Sequence, residues 1–535
     1  MNKMKVINKI MLLALALIVP MAGCDTDELH DRNINPQALA TAPMEFLFTA
    51  AQLGSAAGGS AGDNRYIDWR TNIGLCGYAI QHLATATGGI SPGDKYFDNV
   101  ESYNAPWEFI YGDQLKNLSE VLFQTAPGGF DESKDVLRNA ARILRVFNFH
   151  RLTDYYGNIP YSNALKGIRG LVFLPTYDTQ QAIYADLLKE LDEATAALRP
   201  LVATSRTDQA FRSADLFFVG DVDKWKRFGY SLMLRLAMRV SNVDLNMANT
   251  YVAKAVAGGV FTGNTDNTWV TMSLGPSEWT NQNGISRAFA SGDGGQPTTL
   301  SKTLIDELKG PNTGAVGDDD PRLMIFTEGY DGKTDPLVQR GLPNGLDQGM
   351  VNTLEGLPDV NVRLRFSQLN IKFIQDDDPY MLMNYAEAEL LLAEAAVRGI
   401  GGVSAGTAQT HYENGVRAAM QMYTPFDATF AVDNAKVDAY LAARPFPAAS
   451  EDRLKAIGTQ LWLSKFLNWW EAWADWRRTQ YPVLTPVNYP GNVTGGQIPR
   501  KLRYPNQEVA TNSSNYVAGA TTPDEPITKV WWDVK

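Results

Sequence analysis

Cysteine is scarce in this chain: 535 residues contain two, Cys24 and Cys76. A fold stapled by several disulfides is thereby excluded, and stability must come from a packed core. Histidine is scarce too, with four residues at 30, 82, 150 and 411. They show no metal-ligand spacing and no H-E-x-x-H run, so no metal and no cofactor is expected. Lys/Arg-rich runs are missing beyond the N-terminus, and the net charge is -11. That removes the basic footprint of a nucleic-acid binder. No apolar run after the N-terminus is long enough to span a bilayer, which takes about 20 residues. The stretch around Leu390-Leu391-Leu392 is broken by Glu387, Glu389 and Glu394. What remains is 44% apolar and 20% charged, the composition of an ordinary globular protein with ample core.

The N-terminus carries the first positive signal. Lys3, Lys5 and Lys9 precede an apolar run from Ile10 to Val19, and Met21-Ala22-Gly23-Cys24 follows. A basic segment, a short apolar segment and small residues make a secretory leader. The last four residues resemble a lipobox, in which Cys24 becomes the diacylated N-terminus. Residues 1–23 are therefore read as a lipoprotein signal peptide and 24–43 as a lipidated tether. Asp25, Asp27 and Glu28 resemble a surface-export signal, placing the protein on the outer membrane and facing outward. Residues 44–535 are read as one domain, since no linker isolates a second.

Helical periodicity dominates that domain. Asp378 as N-cap, Pro379 as first helical residue and Gly399 as left-handed terminator predict a helix over 379–398. Asp178 with Gln181 reads as a capping box opening a helix over 178–198. Residues 135–152, 223–241 and 409–422 follow the same pattern. So do residues 453–478, where Trp462, Phe466, Trp469, Trp473 and Trp476 form one stripe that reads as core. Trp107, Tyr111, Leu115, Leu118 and Leu122 form another. Paired helices of this length suggest a tetratricopeptide-like stack, without a clean 34-residue repeat. Polar, glycine-rich stretches at 54–64, 84–94, 261–300 and 327–360 interrupt it, and a short strand is expected near Val362–Phe366. The fold class is mostly α, with long irregular loops and a few short strands.

Several segments, in order, resemble the SusD/RagB family of nutrient-binding outer-membrane lipoproteins. They are Asn33-Ile34-Asn35-Pro36; Leu152-Thr153-Asp154-Tyr155-Tyr156-Gly157-Asn158-Ile159-Pro160; Pro175-Thr176-Tyr177-Asp178; Tyr385-Ala386-Glu387-Ala388-Glu389-Leu390; Trp470-Glu471-Ala472-Trp473; Arg477-Arg478; and Ile498-Pro499-Arg500-Lys501-Leu502-Arg503-Tyr504-Pro505. Read residue by residue, most of these motifs are structural: helix exits, caps and dipole-complementing cations. The resemblance implies four tetratricopeptide-like helix pairs supporting an irregular ligand-binding half. It also implies a partner, a SusC-like TonB-dependent outer-membrane transporter, and a glycan or peptide as ligand.

A sugar site needs flat aromatic faces and a few amide, carboxylate or Arg groups. Trp69 and Trp279 lie off the helical stripes, beside polar loops of the kind that supply stacking residues in the family. With Asn72, Asn281 and Arg287 they form the expected pocket. Enzyme signatures are weak. Gly58-Gly59-Ser60-Ala61-Gly62 matches G-x-S-x-G but lacks the strand before and the helix after that an elbow requires. Asp318-Asp319-Asp320 and Asp376-Asp377-Asp378 lack the alternating pattern of a calcium loop. The competing reading is an exported helical glycoside hydrolase, which needs two carboxylates facing each other about 5–10 Å apart. A purely structural lid is a third.

Overall fold

A computed structural model describes residues 42–56, 65–86, 93–275, 281–289, 298–311 and 319–535. Residues 1–41, with Cys24, lie outside these, as do Trp279 and the G-x-S-x-G segment at 58–62.

Ten helices carry the argument: α1 Met44–Ser55, α2 Lys116–Gln124, α3 Asp135–Tyr156, α4 Gln180–Ala197, α5 Val222–Arg239, α6 Leu245–Gly258, α7 Tyr385–Arg398, α8 Ala408–Gln421, α9 Ser450–Ser464 and α10 Trp469–Thr479. The packed pairs α3–α4, α5–α6, α7–α8 and α9–α10 make a tetratricopeptide-like stack, and α4–α5, α5–α7 and α7–α9 contacts join one pair to the next. The predicted stripe of α4 faces inward: Ile183, Leu187, Leu191 and Ala194 are fully buried. The α7–α8 crossing is close because Gly415 has no side chain. A Cβ there would stand 2.6 Å from Leu390 Cγ.

The strands are short: β1 Leu83–Ala84, β2 Ile159–Pro160, β3 Tyr177–Asp178, β4 Thr268–Val270, β5 Thr299–Leu300, β6 Thr327–Gly329, β7 Gln368–Leu369 and β8 Tyr380–Met383. They form one antiparallel sheet in the order β1-β5-β7-β6 and the two-stranded pairs β2–β3 and β4–β8. Residues Met44–Lys535 gather into one compact unit.

Four local expectations are corrected. The helix expected from Pro379 starts at Tyr385, because Tyr380–Met383 pairs with β4 instead. Its cap is Asn384, whose side chain accepts from Glu387 N, while Asp378 accepts from Gln375 N. Thr179, not Asp178, caps α4. Asp178 turns back to accept from the Tyr161 and Ser162 amides. Val362–Leu364 is a 3-10 turn rather than a strand.

The fourth correction concerns the tryptophan-rich segment, which is two helices, α9 and α10. Leu467 at φ 75° separates them. Tertiary hydrogen bonds hold that break. Asn72 Nδ2 donates to Leu467 O at 3.0 Å, and Asn72 Oδ1 accepts from Trp470 N at 2.9 Å. The stripe itself is core on both sides of the break: Trp462, Phe466, Trp469, Trp473 and Trp476 are all buried. Gly399, at φ 67°, ends α7 as expected.

Charged residues also occupy the interior. Arg235 and Arg239 of α5, Glu387 and Glu394 of α7, and Glu471, Asp475 and Arg478 of α10 are buried together with Lys465. Arg235 grips Glu387 through Nε and Nη2 at 2.6 and 2.7 Å, and Arg478 grips Glu394 at 2.6 and 2.7 Å. Arg239 pairs with Glu471 and Lys465 with Asp475. Arg477 and Arg478 therefore do more than complement a helix dipole. Arg477 lies 3.7 Å over the Trp473 ring and donates to the Asp154 and Arg500 carbonyls.

A half-buried aromatic ladder as the candidate ligand-binding site

Trp69 sits on Ile67–Gly77, a helix with the wide π-type spacing, a form that recurs at functional sites. The segment is anchored from below. Gly77 lets it lie against α10, since a Cβ there would meet Leu83 Cδ1 at 2.8 Å and Trp469 Cδ2 at 3.2 Å. Asp68, fully buried, accepts from Asn72 Nδ2 at 2.7 Å and from the Tyr380 hydroxyl at 2.9 Å.

On its outer side the segment presents aromatic rings. Tyr66 stacks on Trp69 with centroids 6.1 Å apart and planes at 25°. It stacks on Phe109 at 6.2 Å and 26°. The Arg70 guanidinium lies 4.4 Å over Tyr66 and pairs with Glu101 at 3.4 Å. Arg65 stands 5.0 Å from the Tyr66 ring and 5.7 Å from Trp69. Tyr66, Trp69, Arg70 and Phe109 are all half-buried. Three near-parallel rings with cations beside them can stack sugar rings and hydrogen-bond their hydroxyls.

The expected pocket residues separate here. Trp69 is on the ladder. Asn72 is not, because it is fully buried and serves as the strut between Asp68 and the α9–α10 break. The physical reason is the helix type. In an α-helix, positions i and i+3 share a face. Bonding of the i→i+5 kind turns each residue through a smaller angle, so three steps from Trp69 point inward. Asn281 is half-buried in a left-handed conformation, φ 61°, and its Nδ2 donates to Gly275 O at 3.1 Å. Arg287 is buried on the short helix Gly284–Phe289, which packs against the Trp69 segment, and its Nη1 is 3.7 Å from Asp376. Trp279 lies outside the described residues.

Sequence reasoning passed over Arg65, Tyr66, Arg70 and Phe109. The signal available was the Tyr66–Trp69 spacing, with arginines at 65 and 70 flanking both rings. Trp107, also half-buried, packs against the core instead. It meets Tyr156 edge-on at 5.2 Å and Tyr504 at 5.9 Å.

In the acidic runs, Asp320, Asp376 and Asp378 accept from protein donors. Asp376 accepts from Ser286 Oγ at 2.8 Å, and Asp320 grips Arg322 at 2.9 and 2.6 Å. Two interior clusters, His150–Asp154–Glu471 and Glu387–Glu471–Asp475, have metal-like spacing. Arg235, Arg239 and Lys465 already neutralise them. A cavity of about 530 Å³ lies by Leu323, Phe430 and Tyr440. Asn370 on its wall is engaged by Ile325 O and Lys372 N. Trp69 does not line it. Among the described residues, no helix is long and apolar enough to cross a membrane.

Burial pushes the Asp68 carboxyl up to about 6; Arg151 and the bonds from Tyr380 and Asn72 pull it only partly back. The folded protein thus holds this proton more tightly than the unfolded chain, whose value is 3.8. The stabilisation this gives is fully present below 3.8 and is lost as pH rises to about 6. A difference of about two pH units is worth ~3 kcal/mol. Asp68→Asn stays neutral throughout. Its stability relative to wild type is expected to improve by up to that amount between pH 4 and pH 7 in urea unfolding. A difference that does not change with pH contradicts the assignment.

A family model described as "Starch-binding associating with outer membrane", SusD-like, matches residues 36–505. A solved structure of a chitin-binding protein is 31% identical, with a TM-score of 0.77, over 92% of this chain and 100% of that one. A chitin-binding SusD homolog from Flavobacterium johnsoniae is 25% identical, TM-score 0.70, over 92% and 100%. A SusD homolog from Bacteroides uniformis is 26% identical, TM-score 0.71, over the same shares. A comparison with curated proteins finds no match. With its helix-pair stack and a family match over nearly its whole length, this chain belongs to the SusD-like family.

Proposed function

We propose that this protein captures a glycan on the Phe109–Tyr66–Trp69 ladder and passes it uncleaved to a TonB-dependent outer-membrane transporter. The observation that carries the reading is the ladder: stacked, half-buried rings with Arg65 and Arg70 alongside, fixed from below by Asp68 and Asn72. Two similar structures bear the description chitin-binding, which makes β-linked N-acetylglucosamine oligosaccharides the first ligands to try. A peptide reading draws less support, because the described strands run two to four residues and offer no long edge to a bound strand. Arg287, on a helix beside the Trp69 segment, and Asn281, three residues before that helix, are proposed to border the ligand, with Trp279 as a further stacking face.

The test is an array of glycans and peptides probed with the protein from Asp25 onward, with ligand integrity followed by mass spectrometry. Saturable binding of a glycan recovered intact is the expected result. Cleavage would turn the reading toward a glycoside hydrolase.

Anchoring is proposed through Cys24, by diacylation after signal cleavage. Cys24→Ala is expected to abolish incorporation of labelled palmitate and to release the protein from the outer-membrane fraction. Full palmitate labelling of the variant would rule this anchor out.

A further inference from the structure

A second concave surface lies at the far end of the helical rod that carries the ladder. The chain leaves Ile67–Gly77 and reaches Gln81 within four residues. Gln81 follows Trp69 by twelve positions, a separation that would span ~18 Å on an α-helix. Gln81 lines a concavity of about 410 Å³ together with Asn344, Asn488 and Tyr489. A second concavity of about 720 Å³ shares Lys302, Thr303 and Thr485 with the first and runs on past Asp306 to Arg444. The shared residues make the two one groove.

The chemistry of this groove is that of a sugar subsite. Tyr489 is half-buried and held in place before any ligand arrives. Its hydroxyl donates to Asp347 Oδ2 at 2.8 Å, and Phe97 meets its ring edge-on at 5.5 Å and 76°. Around it stand the amides and hydroxyls of Gln81, Thr303 and Asn344 together with the apolar side chains of Met350, Pro486 and Val487. Thr303 Oγ1 donates to Gln81 Oε1 at 2.7 Å, and Gln81 Nε2 donates to Thr485 O, so these groups are oriented. Asn488 and Lys302 stand exposed on the rim. A fixed aromatic ring with oriented amides and hydroxyls beside apolar side chains suits a pyranose ring, which has an apolar face and polar edges.

We infer that the Tyr489 groove is a second saccharide-binding site, used by glycans too long for the ladder alone. The inference rests on the glycan reading above. Binding at two places on one chain raises affinity through effective concentration, so affinity climbs with ligand length.

The experiment is titration calorimetry of the full chain in detergent, with chitobiose and chitohexaose as probes. Wild type, Trp69→Ala, Tyr489→Ala and Asn488→Ala are compared. Asn488 is exposed, so its variant reports even if Tyr489→Ala folds poorly. The expected result is that the ratio of chitohexaose to chitobiose affinity falls about tenfold in Tyr489→Ala and falls measurably in Asn488→Ala. Trp69→Ala is expected to keep weakened chitohexaose binding that disappears in the Trp69→Ala/Tyr489→Ala double variant. A wild-type ratio retained in both groove variants overturns the second site while leaving the ladder intact. Failure of wild type to bind either probe overturns both readings for this class of glycan.

Discussion

Trp69→Ala is expected to weaken glycan binding by about 30- to 100-fold, with the fold retained. The ring is the outer plate of the ladder, stacked on Tyr66 and flanked by Arg65. A central aromatic anchor in an interface is commonly worth ~2–3 kcal/mol, and each 1.4 kcal/mol is a factor of about ten. Trp69→Phe keeps a flat face and is expected to lose less, about three- to tenfold, as a smaller ring with no indole N–H would. Calorimetry with the array's best glycan measures both. Circular dichroism and a cooperative melt confirm that Asp68, Asn72 and Tyr380 still hold the segment. Unchanged affinity in Trp69→Ala would remove the ladder from the binding site.

Arg239→Met is expected to be the most destabilising single change in the helical stack, by ~3–5 kcal/mol, because it strips a buried cation from several carboxylates. Arg239 pairs with Glu471 and stands 3.7 Å from Asp154 and 3.8 Å from Asp475. All four groups are buried. Burial opposes ionisation of Asp475, yet Lys465, Arg239 and Arg478 hold its carboxyl below the usual range. Glu471 goes the other way: burial outweighs Arg235 and Arg239 and holds its carboxyl above the usual range. Removing Arg239 leaves like charges facing each other in a low-dielectric interior. The double variant Arg239→Met/Glu471→Leu is expected to recover part of the loss, since a buried pair exchanged for apolar groups is often near neutral. Urea unfolding of the three proteins tests this. Equal stability of Arg239→Met and wild type would show that the network contributes nothing net.

Periodicity made the helix pairs legible: α4 and α8 bury one stripe, whereas α3, α5 and α7 carry the apolar repeat but are buried nearly all round. The local motifs were legible as structure rather than function for a reason now visible. Glu387, Glu394, Glu471, Arg478 and Asp154 are the buried charges that tie α3, α5, α7 and α10 together. The misplaced boundaries share one cause. Pro379 and Asp378 look like a helix start, but β4 competes for Tyr380–Met383. Periodicity runs on through Leu467, but Asn72 reaches across 395 positions to hold a break there. No local pattern contains either partner. The proposed site was legible in part. Trp69 stood out as an aromatic off the stripes, whereas Phe109 joins the ladder only through tertiary stacking. Asn72 was expected at the pocket because its segment borders a polar loop, but the segment is a helix that turns Asn72 inward.

The most direct test is a crystal structure of the protein with the strongest glycan from the array. The account predicts a sugar ring stacked on Trp69 with hydroxyls toward Arg65 or Arg70. A glycan seated instead in the cavity beside Phe430 and Tyr440, with the Trp69 face bare, would contradict it.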